Sequence, residues 1–351
     1  MLLYDSLQIL GTWKLLVLAV NMKKIDFSKL QPGDILLTTS HSMESWSVRF
    51  GTKSDISHAM LYVASSSVVD STSDGVHARN LQKIFFEDDC AIQAFRLITP
   101  PSPEQIQTVI AYARSVTGTP YALREAVWSA SKPQGKGSKK QFCSRLVARA
   151  YASAGIKLVD NPDFCTPQQL KESCLLQHLP SPTVEISKEE ISSITSQPNR
   201  STGMIEVTNE FLNQVRRFAP DVLEINDVFE FLFENPTFDS QLYDALKSSG
   251  YLDFWQEEYK EFYWRYDFED MNRLASDLNL QDHITDYCRR TYLDFQSGTF
   301  QHWEDNLIYW KKYVDRAPLM SFKAMATLYE NLVESSRKRY SVANQWLMMR
   351  L

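Results

Sequence analysis

Cysteine is sparse in this chain and falls into no metal-binding or disulfide pattern. The five residues, Cys90, Cys143, Cys165, Cys174 and Cys288, are an odd number scattered over 351 positions. A disulfide scaffold is dense and even in cysteine, so that class is excluded, and a reducing, cytoplasmic setting is expected. Cys165 and Cys174 have no short-spaced Cys/His pair to complete a zinc site, and buried small hydrophobes are the better reading. Excess positive charge is missing too. The formal net charge of −6 and a pI near 5.6 argue against nucleic acid, or a broad anionic membrane surface, as the main partner. Long apolar runs are also lacking: Leu15 to Val20 is interrupted by Lys14 on its N-terminal side, has no basic region before it, and is too short to cross a bilayer. Two readings of residues 1–21 stand, an extension upstream of a start at Met22-Lys23-Lys24 and a short amphipathic segment that associates with a membrane.

What is present organises into two parts. The length exceeds the usual single-domain size of about 100–200 residues, so two domains are expected. The boundaries read as an N-terminal extension over 1–24, an α+β domain over 25–178, a Ser/Thr/Pro/Glu-rich linker over 179–203, and an all-helical domain without internal repeat over 204–351. In the first domain, Gln31-Pro32-Gly33-Asp34 marks a turn before a strand at Ile35–Thr39, with Asp34 a turn residue. Residues 56–72 read as a hairpin without an Asn-Gly pair to fix its turn. Ala91–Leu97 reads as another strand. Ser102-Pro103-Glu104-Gln105 opens a helix with an N-cap, a proline and a capping glutamine, and its apolar stripe is Ile106, Val109, Ile110, Ala113 and Val116. Gly118-Thr119-Pro120 stops it. A lysine-rich loop from Ser131 to Lys140 leads into a second helix, opened by Cys143, that buries Leu146, Val147, Ala150, Tyr151 and Ala154 and ends at Gly155.

Cys143 is the candidate nucleophile. A cysteine at a helix start gains thiolate character from the positive end of the helix dipole, and a nearby imidazolium strengthens it. His58, on a strand, is the candidate base. Alternation places His58, Met60 and Tyr62 on one face, and a three-residue loop at 64–66 pairs Met60 with Asp70, setting Asp70 diagonal to His58 on that face. A carboxylate there holds the imidazole in its useful tautomer, whereas a one-residue slip of register turns Asp70 away. Tyr121 is either a core aromatic or a lining residue of the substrate site. His77, three residues beyond Asp74 in an expected loop, reads as a solvated surface histidine.

With these pieces assembled, the chain resembles the circularly permuted branch of the NlpC-type papain-like superfamily, the YiiX-like proteins, with lecithin:retinol acyltransferase as a more distant relative. The resemblance rests on Pro32-Gly33-Asp34-Ile35-Leu36-Leu37, Ile56-Ser57-His58-Ala59-Met60-Leu61-Tyr62, Val68-Val69-Asp70-Ser71 with Gly75-Val76, Gly118-Thr119-Pro120-Tyr121, and Phe142-Cys143-Ser144-Arg145-Leu146-Val147. Histidine precedes cysteine here, as in the permuted branch. That branch carries a third polar residue twelve positions after its histidine, more often Glu or His, which implies the orienting role for Asp70 through a shorter side chain. The resemblance spans about residues 30–178 and does not extend to 204–351.

The resemblance implies a permuted papain-like fold with an antiparallel sheet and packed helices. It also implies acyl transfer through a Cys143 thioester, with His58 as base, Asp70 as orienting group and no metal or organic cofactor. Hydrolysis of a peptide amide is the first reading and a lipid acyl hydrolase or acyltransferase the second. A third is a non-catalytic papain-like binding module whose helical domain does the work. In that domain Trp255, Trp264, Trp303, Trp310 and Trp346 either build a core or leave an exposed patch for a protein or lipid partner. A helical domain covering the cleft is a further expectation, drawn from domain order alone.

Overall fold

In the computed structural model, the described residues are 22–39, 56–122, 125–126, 138–180 and 182–350. The apolar run at 15–20 and most of the expected loop at 131–140 lie outside them. The chain divides into two compact units, Met1–Thr202 and Gly203–Leu351.

The first unit is α+β. Its main sheet has six strands in the order β5-β4-β3-β2-β7-β8, formed by β2 (Ile35–Thr38), β3 (His58–Ala64), β4 (Ser67–Thr72), β5 (Gly75–Asn80), β7 (Ile92–Leu97) and β8 (Leu176–Leu179). Every pairing in it is antiparallel. A second, three-stranded sheet runs β6-β1-β9, from β6 (Phe85–Glu87), β1 (Met22–Ile25) and β9 (Thr183–Ile186). Helices α1 (Pro103–Ser115), α2 (Cys143–Ser153) and α3 (Pro167–Lys171) follow β7 in sequence.

The inner strand β2 is buried on both faces along its length, which explains why Ile35, Leu36 and Leu37 follow one another without alternation. Ile35, Leu37, Ala59, Leu61 and Val69 join Leu146, Val147, Ala150 and Tyr151 of α2 in one core. Leu36, Met60, Tyr62 and Val68, from the other face, join Ile25, Leu30, Leu81 and Phe86 in a second. The α1 helix begins with the capping box expected from Ser102 and Gln105, and buries Val109 and Ala113.

Two sequence expectations are corrected by this second core. Residues 22–24, assigned to an extension, form with Ile25 the central strand of the small sheet, and 183–186, assigned to a linker, pair with it from Met22 opposite Ile186 to Ile25 opposite Thr183. Helix α4 (Lys188–Ser196) follows, closed by a capping box between Ser187 and Glu190. The composition misled because this edge strand buries only one of its four residues. Ile186 is buried while Val184 and Glu185 are exposed, so a linker-like string supplies a strand.

The second unit is helical, running α5 (Arg200–Val215), α6 (Ile225–Glu234), α7 (Asp239–Ser248), α8 (Gln256–Glu261), α9 (Phe268–Asp277), α10 (Gln281–Gln296), α11 (Gln301–Arg316) and α12 (Met320–Met348). One core gathers Phe211, Phe229, Trp310 and Phe322, and another gathers Met271, Ile284, Cys288 and Trp346. Trp310 and Trp346 are fully packed, and Trp255 and Trp264 are half-buried against the two cores. Exposed apolar side chains in this unit include Phe233, Tyr263, Leu293 and Ile308. Among the described residues no helix is long and apolar enough to cross a membrane.

Candidate active site

The site is built where β3 begins, where β4 ends, and where α2 starts. The β3–β4 turn differs in detail from the sequence expectation. It has two residues, Ser65 and Ser66, both with positive φ (47° and 63°), as the tight turns that match strand twist require. An irregularity between Tyr62 and Ala64 supplies the missing residue. Leu61 therefore still faces Val69 and Tyr62 faces Val68, a register that puts Asp70 diagonal to His58. Their side chains meet: His58 Nε2 lies 2.9 Å from Asp70 Oδ2.

Cys143 opens α2. The preceding residue, Phe142, is extended and offers no side-chain cap, so the first-turn N–H groups lie outside the helical ladder without a capping side chain. The approach to the cysteine is fixed by a short segment running from the sheet. Val76 of β5 exchanges backbone hydrogen bonds with Gly118 and Thr119, and Pro120 and Ala122 exchange them with Gln141. Gly75, with φ of 102°, is required at the turn into β5, because a Cβ there would stand 2.9 Å from the Thr119 carbonyl oxygen. Tyr121 bridges Gln141, two residues before the cysteine, and packs beside Phe142.

The α2 start is also clamped from its other side. Arg145, fully buried, donates to the Asp163 carbonyl (2.6 Å), the Lys140 carbonyl (2.8 Å) and Glu125 Oε2 (2.7 Å). Its guanidinium also lies over the Phe142 ring at 4.3 Å. Ser144 donates to the Cys165 carbonyl at 2.7 Å. These bonds hold the two residues after the nucleophile candidate, and hence its own backbone, in place.

Electrostatics mark the histidine. Burial disfavours charge on His58, but hydrogen bonds to Asp70 and to the Cys143 thiol outweigh it and raise the imidazole to about 10. Since Nε2 faces Asp70, Nδ1 is the nitrogen left for the thiol. Burial alone would raise Asp70; the bond to His58 and the charges of His58 and Arg79 keep it below the usual carboxylate range. Cys165, also buried, is pushed up to about 12 by desolvation, as befits a structural thiol. Cys143 itself is buried (3% exposed), whereas the His58 side chain is a quarter exposed and forms the open side of the site.

The structure thus brings Cys143, His58 and Asp70 together and sets Tyr121 close by in the chain segment before the cysteine. His77 departs from the sequence reading. It is not a solvated loop residue but lies in β5 directly opposite Asp70, 2% exposed, with Nε2 3.0 Å from the Asp74 carbonyl oxygen. The loop expected around it is a tight turn at Ser73-Asp74, so β5 starts at Gly75 and carries His77 into the sheet. Asp34 is a buried turn acceptor that takes Arg96 through both carboxylate oxygens at 2.7 Å.

Arg79 was missed by sequence reasoning. Its Nε donates to Asp70 Oδ1 at 2.7 Å, and an Nη donates to Thr72 Oγ1 at 2.6 Å. The available signal was the Asp74-Gly75 dipeptide, which marks a hairpin and so puts Arg79 on the Asp70 face. Among the described residues no group of three or more His, Cys, Asp and Glu is arranged to hold a metal ion.

Comparison with known proteins follows this geometry. Residues 29–198, just under half of the chain, match the family described as permuted papain-like amidase enzyme, YaeF/YiiX, C92 family. A curated relative, "Probable lipoprotein peptidase YaeF" of Escherichia coli (strain K12), is 26% identical over 167 residues, which are 38% of this chain and 60% of that protein. The chain thus spans less than two thirds of that relative's length. A solved structure, titled "Crystal structure of metalloprotein yiiX from Escherichia coli O157:H7, DUF1105", is 20% identical, with a TM-score of 0.34, covering 43% of this chain and 97% of the other.

Proposed function

Taking residues 29–198 as a domain of the permuted papain-like amidase family, we propose that this unit hydrolyses a peptide amide bond through a Cys143 thioester. The observation that carries the reading is one imidazole held between a carboxylate and a thiol at the start of a helix. His58, whose proton affinity is raised, takes the Cys143 thiol proton ahead of the attack, and the paired sulfur adds as a thiolate to the substrate carbonyl. The tetrahedral oxyanion faces the uncapped N–H groups at the α2 start. His58 then donates its proton to the leaving nitrogen as the C–N bond breaks. Water, deprotonated by His58, cleaves the thioester, releasing a carboxylic acid and restoring the thiol. Asp70 orients the ring throughout, and Tyr121 lines the substrate side near Gln141. The relative's printed description as a peptidase favours a peptide amide over an ester.

The test is intact-mass labelling with iodoacetamide across pH, for the native chain and for Cys143→Ala and His58→Ala. Labelling at Cys143 that outpaces labelling of the exposed Cys174 in the folded protein, located by peptide mapping and slowed by loss of His58, supports the reading, and peptide and ester libraries then rank the substrates. A Cys143 that reacts only after unfolding would overturn it in favour of a binding module.

A further inference from the structure

Asp70 has two carboxylate oxygens and gives one to each of two cations. Oδ2 faces His58 Nε2 at 2.9 Å, and Oδ1 accepts from Arg79 Nε at 2.7 Å. The carboxylate is almost fully buried, while the side chains of His58 and Arg79 are each about a quarter exposed. Arg79 is itself anchored, by Thr72 Oγ1 at 2.6 Å and by the Asp74 carboxylate at 3.5 Å. These bonds tie β4, the Ser73-Asp74 turn and β5 into one frame around the carboxylate.

The geometry points to Arg79 as a positioning residue that holds Asp70 against His58, completing a Cys143–His58–Asp70–Arg79 relay. The inference rests on the thiol hydrolase reading above. The Cβ–Cγ torsion of aspartate is broad and roughly two-fold, so one hydrogen bond to the imidazole does not fix the carboxylate plane. A guanidinium nitrogen on the second oxygen does, and its planar fork resists rotation better than a flexible ammonium. The guanidinium charge also stabilises the ionised form of a carboxylate that burial disfavours. The groups facing Asp70 are His58 from β3, His77 directly opposite and Arg79 from β5, with Thr72 one step along its own strand and the Cys143 thiol reached through His58.

The experiment is the rate of Cys143 alkylation by iodoacetamide as a function of pH, in the full-length native chain, Arg79→Met, Arg79→Lys and His58→Ala, with melting temperatures measured beside it. Arg79→Met is expected to lower the rate near neutrality about tenfold and to move the acid limb of the profile to higher pH, because Asp70 then takes a proton more readily. Arg79→Lys should restore the position of the limb while recovering only part of the rate. A folded Arg79→Met with a lowered melting temperature and an unchanged profile would show a merely structural arginine and overturn the inference. Should Arg79→Met not fold, Arg79→Gln takes its place: it removes the charge while keeping a donor on the side chain, and a rate and acid limb equal to those of the native chain would likewise overturn the inference. His58→Ala separates the two levels. If its labelling matches the native chain, the hydrolase reading fails; if His58→Ala is slow and the Arg79 variants are normal, only the role of Arg79 fails.

Discussion

The two units bury their charged groups for different ends. In the α+β unit the buried carboxylates sit at sheet positions and turns, each paired with a guanidinium: Asp34 with Arg96, and Asp70 with Arg79. Asp70 alone of these two also faces an imidazole that reaches a thiol. In the helical unit, Glu258 accepts from both Arg265 and Arg339 among aromatic rings, with Arg265 stacked 3.8 Å from the centre of Phe262. Asp239 caps the long helix α12 by accepting from the Met320 and Ser321 amides at 2.7 and 2.9 Å. Buried charge in the helical unit fixes helices to one another. Buried charge in the first unit leaves one pair aimed at the candidate nucleophile, the kind of arrangement in which a perturbed titration points to chemistry rather than architecture.

This contrast can be broken or sharpened by substitution. The largest effect is expected at His58: replacement by Ala should lower the turnover of a cleaved substrate by about 10²–10⁴-fold while the chain stays folded, measured as kcat/KM beside a melting curve. Trp346→Ala belongs to the other unit and should act on stability alone, by about 3–5 kcal/mol in urea unfolding, because it removes a fully buried indole whose Nε1 donates to Thr285. Asp239→Ala should cost about 1–2 kcal/mol through loss of the α12 cap, read from the same unfolding curves. A loss much above that range would mean that Asp239 does more than cap.

A pH dependence is expected as well, and its sign follows from His58. Its folded value is raised from 6.5 to about 10, so the folded chain holds this proton more tightly than the unfolded chain. The resulting stabilisation is complete below about pH 6.5 and is lost as pH rises towards about 10. Asp70 has the opposite sign: it is lowered from 3.8, so its contribution is present above that value and is lost as pH falls below it. Urea midpoints of the native chain and His58→Asn should therefore converge between about pH 6.5 and 10. A constant difference across that window would contradict the ion-paired histidine.

Much of the site was legible because its chemistry is tied to simple periodicities. Alternation along β3 and the register of the β3–β4 hairpin set Asp70 beside His58 even though the turn is one residue shorter than expected, since the irregularity after Tyr62 compensates. The capping signals around Ser102 gave α1 its first turn. His77 and Arg79 escaped because their placement depends on a second hairpin, whose tight Ser73-Asp74 turn was read as open loop. The strand at 183–186 escaped because half of its side chains face solvent and its composition reads as linker. For the tryptophans, residue type announced a helical core but not which rings fill it; only packing puts Trp310 and Trp346 inside.

By itself the sequence determined the α+β and helical character of the two halves, the helix that starts at Cys143 and the face shared by His58 and Asp70. Local periodicity and capping are properties of neighbouring residues, and they survive without knowledge of the fold. Tertiary structure alone decided that Arg79 closes the far side of Asp70, that Arg145 clamps the start of the cysteine helix, and that β1 and β9, far apart in sequence, pair in a second sheet. Those contacts join residues whose meeting depends on strand order and on burial against a distant partner, information that no local window of sequence contains.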